Sequence, residues 1–85
     1  MAITVLIQPN CTACVWVERA LTRHGELFTT RDVRDDPEAE ALLRDLYTAH
    51  RPGQHPRTPV TILDHDVVVF GTDVRPHLRS RPAAA

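Results

Sequence analysis

The sequence predicts an α/β domain of order β-α-β-α-β-β-α: a four-stranded mixed sheet with helices on both faces. Three observations carry this. Apolar runs rich in β-branched residues stand at Ile3–Ile7, Thr58–Leu63 and Asp66–Phe70. Apolar residues recur at helical spacing after Asn10 and again after Asp36. The last two runs are joined by Asp64–His65–Asp66, tightly enough for a hairpin.

Taken in order, Ile3–Ile7 (ITVLI) lacks alternation and has the composition of a central strand buried on both faces. Gln8, Pro9 and Asn10 break it, and a helix begins at Asn10–Cys11 with Asn10 as its expected N-cap. Val15, Val17, Ala20 and Leu21 form the apolar side of that helix, and Gly25 follows Arg23 and His24 where a C-terminal stop belongs. Glu26–Val33 (ELFTTRDV) has strand composition. A second helix starts at Asp35–Asp36–Pro37, where Asp caps, Pro suits the first turn, and Glu38 and Glu40 meet the positive end of the dipole. Ala39, Leu42, Leu43, Leu46 and Tyr47 give it a core face. Arg51–Arg57 is a loop ahead of the two short strands. Gly71 then turns the chain, and Thr72 or Asp73 is expected to cap a last short helix ending near Ser80. The domain is expected to span residues 1–80, with 81–85 a flexible tail. A βαβ start requires parallel strands with a right-handed crossover, and the hairpin adds an antiparallel edge. This is the thioredoxin-like arrangement.

The chain has 85 residues, enough for one small domain with a modest core. A formal net charge of -1 offers no electrostatic case for nucleic acid or an anionic membrane as partner. All ten Lys+Arg positions are Arg, which reads as coding bias rather than a selected anion-binding surface. No stretch approaches the roughly 20 apolar residues of a membrane span, and no targeting signal precedes Ile3, so a cytoplasmic protein is expected. A lone cysteine pair in a reducing compartment points to catalysis, redox sensing or metal binding rather than a structural disulfide.

The strongest signal is Cys11–Thr12–Ala13–Cys14, a Cys-x-x-Cys after a strand and at a helix start. A thiolate is the nucleophile in disulfide exchange. The free N–H groups and positive dipole at a helix N-terminus stabilise it, lowering a thiol from ~8.5 towards about 3.5–7.5 at such sites. Cys11, the N-terminal member, is expected to attack, and Cys14 to resolve the mixed disulfide. The rival reading is half of a zinc site completed by His50, His55 or His65, whose irregular loop positions argue against it. A regulatory or zinc-binding module built on this fold is therefore the alternative function. Thr58–Pro59 is the second signal. Proline opens a strand here, and a cis bond would turn the Thr58 backbone outward to pair with an extended thiol substrate. Trp16, just after the cysteines, has two readings, a residue lining the substrate surface or a core-edge aromatic, and the usual burial of tryptophan favours the second.

With Pro9–Cys14, Thr58–Pro59–Val60 and Gly71–Thr72–Asp73 in place, the chain resembles the glutaredoxin family from Ile3 to about Leu78. The resemblance implies thiol–disulfide exchange at Cys11 and Cys14 and a cis proline at Pro59 beside them. It also implies substrate binding by Thr58, Pro59, Gly71, Thr72 and Asp73. Three departures weaken the implied glutathione site: Gln8 where many glutaredoxins carry Lys, Ala13 in place of an aromatic between the cysteines, and Phe70–Gly71 in place of Gly-Gly. Gly71–Pro76 also resembles the last-helix start of NrdH-redoxins, glutaredoxin-like donors to ribonucleotide reductase that take electrons from thioredoxin reductase; a mycoredoxin-like branch is a further resemblance. The implied protein binds no cofactor or metal. It draws on an external reductant, either a low-molecular-weight thiol or thioredoxin reductase with NADPH, and reduces a disulfide-containing protein as a monomer.

Overall fold

The computed structural model describes residues 3–64 and 67–80. The elements are β1 (Ile3–Ile7), α1 (Thr12–Arg23), β2 (Thr29–Asp32), α2 (Pro37–His50), β3 (Val60–Leu63), β4 (Val67–Phe70) and α3 (Arg75–Arg79). The sheet order is β2-β1-β3-β4. β1 runs parallel to β2 and antiparallel to β3, and β3 and β4 are antiparallel. The predicted order and mixed sheet are therefore present. The hairpin turn at His65–Asp66 and the tail 81–85 lie outside the described residues.

The period-2 geometry of β1 divides the core between two faces. Ile3 and Val5 join Val17 and Leu21 of α1, Leu63, Val69, Val74 and Leu78 in one cluster. Leu6 points the other way, with Val60, Ala39, Leu43 and Tyr47 of α2. Thus α1 and α3 cover one face and α2 the other. The register extends the pattern across the strands: Val5, Thr61 and Val69 align on the α1/α3 face, and Leu6, Val60 and Phe70 on the α2 face. Side chains directly opposite on neighbouring strands share a face, so Thr61 carries a hydroxyl into an apolar layer.

Several boundaries differ from the sequence reading. Cys11, not Asn10, caps α1. Asn10 has φ 59°, the left-handed region that Asn tolerates, and this turn delivers Cys11 in extended conformation to the helix start. β2 is shorter than Glu26–Val33, because the last four residues of β1 pair with Thr29–Asp32. Leu27, left outside that ladder, is 90% exposed. β3 begins at Val60, after Thr58–Pro59. Neither Thr72 nor Asp73 caps α3: its N-cap is Val74, with no side-chain cap bond. The short turn from Gly71 (φ 79°) closes instead through the Val74 N–H to the Thr72 carbonyl, at 2.8 Å. Asp36 caps α2 as expected, accepting from the N–H groups of Glu38 and Ala39. The Arg31 guanidinium also binds Asp36, at 2.8 Å, and joins β2 to the start of α2. That guanidinium foremost, with the Ala39 N–H, holds the Asp36 carboxyl below the ordinary carboxylate range.

Candidate active site

The C-terminal end of β1 delivers the cysteines to the start of α1. Cys11 is half-buried and Cys14 is 2% exposed, beneath it in the first turn. The two are joined in a disulfide with Cα atoms 5.2 Å apart. The Cys14 N–H points at Cys11 Sγ from 3.1 Å. It is one of the helix-start donors left without an intrahelical acceptor, so the same N–H is placed to hold a Cys11 thiolate once the bond is reduced.

The segment before β3 meets the pair from across the sheet. The Thr58–Pro59 bond is cis. The Thr58 hydroxyl donates to Cys11 Sγ over 3.7 Å, and the Thr58 carbonyl oxygen lies 4.0 Å from the same sulfur. Two anchors position this segment. The Tyr47 hydroxyl of α2 donates to the Arg57 carbonyl at 3.2 Å. The Gly71 N–H donates to the Pro59 carbonyl at 3.0 Å, bringing the turn after β4 against the loop before β3.

The sequence-predicted residues thus fall into two groups. Cys11, Cys14 and Thr58 are in direct contact, and Pro59 and Gly71 are tied to them through the backbone. Thr72 and Asp73 are exposed on the adjoining turn and make no side-chain bond to the cysteines. Phe70 packs edge-on against Tyr47, with centroids 5.0 Å apart, and the Arg51 guanidinium lies 4.7 Å from its ring centre. Sequence reasoning missed Tyr47 as a support of the site, because its helical spacing marks it as core and its hydroxyl partner is a backbone carbonyl. Trp16 is 40% exposed, which departs from the favoured core-edge reading and leaves its ring available at the surface. Among the described residues no group of three or more His, Cys, Asp or Glu side chains is placed to hold a metal ion. No described helix is long and apolar enough to cross a membrane.

Sheet, helix-start sulfurs and facing Thr58–Pro59 define a thiol–disulfide oxidoreductase on the thioredoxin-like fold. The chain belongs to the glutaredoxin family, whose model, described as Glutaredoxin, matches residues 3–68. Among solved structures it is similar to the glutaredoxin-like protein NrdH-redoxin from Escherichia coli, a protein with a thioredoxin-like activity profile. Identity is 28% and the TM-score 0.77, over 99% of this chain and 100% of that one. The thioredoxin-like protein BC3987 aligns at 27% identity and TM-score 0.73, over 91% of this chain and 96% of that one. The dithiolic glutaredoxin 2-C-Grx1 from Trypanosoma brucei brucei shares the fold at TM-score 0.71 and 22% identity, over 92% of this chain and 76% of that one. A search of the curated proteins finds no match.

Proposed function

We propose that the protein is a cytoplasmic, monomeric dithiol electron donor to protein disulfides, a single domain over residues 1–80, with Cys11 as nucleophile and Cys14 as resolving thiol. The difference in exposure between the two sulfurs carries the assignment. Cys11 is accessible at the helix start, while Cys14 at 2% exposure is reached through Cys11. In the first step the Cys11 thiolate attacks one sulfur of the substrate disulfide. A Cys11–substrate mixed disulfide forms, and the other substrate sulfur leaves as a thiolate and takes a proton from water. In the second step Cys14 gives up its proton and attacks Cys11 Sγ. The intramolecular disulfide forms and the second substrate thiol departs, so two electrons have passed to the substrate. An external reductant reverses the sequence on the protein.

Thr58 and Pro59, with Gly71, Thr72 and Asp73 beside them, form the edge along which the substrate lies. The proximity of the Thr58 carbonyl to Cys11 Sγ and the Gly71–Pro59 hydrogen bond support this role. Thioredoxin reductase with NADPH is the proposed reductant, in preference to glutathione. Gln8 in place of a carboxylate-binding Lys, the engagement of Phe70 by Tyr47 and Arg51, and the likeness to NrdH-redoxin support that choice. The test is side-by-side reduction of the oxidised protein by each system. Faster turnover with thioredoxin reductase is expected, and efficient glutathione turnover refutes the choice of reductant. Disulfide reduction that persists in Cys11→Ser refutes the assignment of the nucleophile.

A further inference from the structure

A second feature lies beside the redox pair. An open groove of about 470 Å³ runs between α1 and α3, lined by Trp16, Arg19 and Arg23 of α1 and Arg75, Leu78 and Arg79 of α3, with Ala20 and His24 in its floor. On α1 these positions repeat at three- and four-residue spacing, which places them on one helix stripe. Continued upward, the stripe reaches Thr12 and Ala13, between the two cysteines. The four arginines are exposed. The ion pairs among the described residues are His24–Glu26, Arg31–Asp36 and Arg44–Glu40, so none of the four is neutralised there.

Charge is unevenly distributed over a chain whose net charge is only -1. Asp36, the cap of α2, with Glu38, Glu40 and Asp45 along that helix, belongs to the face of the sheet opposite α1 and α3, whereas on the groove's own elements the acidic residues are Glu18 of α1 and Asp73 just before α3. The all-arginine composition thus has a spatial consequence that coding bias does not describe. Four guanidinium groups, each able to bind a carboxylate through two N–H donors, converge on one cleft with an exposed indole at its upper end. The cleft is partly open to solvent, so a peptide chain can reach the arginines.

We infer that this groove docks an acidic segment of the disulfide-bearing protein substrate. The inference rests on the proposed reduction of protein disulfides and specifies which ones. Helical rise puts Arg19 and Arg23 about 12 and 18 Å along the axis from Cys11. An extended peptide covers about 3.3 Å per residue, so the acidic residues stand roughly four to six positions from the cysteine under attack. Carboxylates there meet the arginines while the disulfide lies at Cys11 and Thr58. An apolar side chain between them rests on Trp16.

The experiment is single-turnover reduction by the fully reduced protein. The probes are peptides whose cysteine is disulfide-bonded to 2-nitro-5-thiobenzoate, so each reaction releases a coloured thiol. One peptide carries Glu at positions four to six from the cysteine, and its partner carries Ser there. The acidic peptide is expected to react about tenfold faster at low salt, in line with rate gains from electrostatic steering, and to lose that advantage in 0.5 M salt. The variant R19E/R23E/R75E is expected to abolish or invert the preference while reducing neutral bis(2-hydroxyethyl) disulfide at the wild-type rate. Equal rates for the two peptides, or a preference that survives charge reversal, overturn the inference. Arginine-dependent binding of an oligonucleotide without any preference for the acidic peptide also overturns it. Failure of the wild-type protein to reduce the neutral disulfide refutes the oxidoreductase reading instead, so the two failures are distinct.

Discussion

Tyr47→Phe isolates a single hydrogen bond between the α2 core and the active-site loop. The substitution keeps the ring, and with it the edge-on contact to Phe70 and the packing against Leu6, Leu43 and Val60. It removes only the hydroxyl that donates to the Arg57 carbonyl at 3.2 Å. A hydrogen bond of this kind contributes about 1 kcal/mol net. The Arg57 side of the pair faces solvent, so water replaces the lost donor and the cost stays near that value. For a domain of this size about 1 kcal/mol lowers Tm by roughly 4–8 °C. The same bond fixes the residue before Thr58, so displacement of that segment slows reduction of a protein disulfide by about fivefold at most, the rate equivalent of 1 kcal/mol. Reduction of a small disulfide, which needs only the cysteines, stays at the wild-type rate. Urea unfolding followed by circular dichroism and single-turnover thiol release on the same preparation read both effects. A stability loss beyond about 3 kcal/mol places the energy in ring packing rather than the hydroxyl. Unchanged stability with unchanged rates refutes the anchoring role outright.

Other predictions address the cysteines, the α2 cap and the buried hydroxyl. Cys14→Ser retains the first step and accumulates a mixed disulfide on Cys11, visible as a mass increase lost on adding dithiothreitol; a variant that turns over normally contradicts the resolving role. Asp36→Ala lowers the urea midpoint at pH 7, and Asp36→Asn, which keeps a capping oxygen, lowers it less. The Asp36 carboxyl is held below its ordinary range when folded, so its contribution is complete above the unfolded value and is lost as pH falls through the folded one. The gap between wild type and Asp36→Ala should therefore narrow below about pH 4, and a constant gap down to pH 2 contradicts the ion pair with Arg31. Thr61 is fully buried, and its Oγ1 has no hydrogen-bond partner among the described residues. Thr61→Val should accordingly raise stability by about 1 kcal/mol in urea unfolding, and a fall shows that the hydroxyl is satisfied.

The element order was legible because each signal was local and strong. An unalternating run at Ile3–Ile7, a cap at Asp36 and a short join before Val67 each depend on neighbours within a few residues. Boundaries were less legible where a distant partner decides them. β2 starts at Thr29 because the β1 ladder begins to meet it there, which the composition of Glu26–Phe28 does not disclose. Asn10 is a good capping residue, yet the left-handed turn passes the cap to Cys11. In the candidate site the cysteine pair was readable from spacing, and Thr58–Pro59 from its place after the second helix. Tyr47 and the arginine groove were not readable. The first acts through a backbone carbonyl, and the second exists only once α3 packs beside α1.

The burial of Cys14 has a consequence for traffic through the molecule. In the proposed cycle both the incoming reductant and the outgoing substrate must use Cys11, because Cys14 is buried and only the half-buried Cys11 is open to solvent. The two half-reactions therefore share one door and exclude each other in time. Turnover takes ping-pong form, with parallel double-reciprocal lines, and an excess of either partner slows the other by occupying the same sulfur.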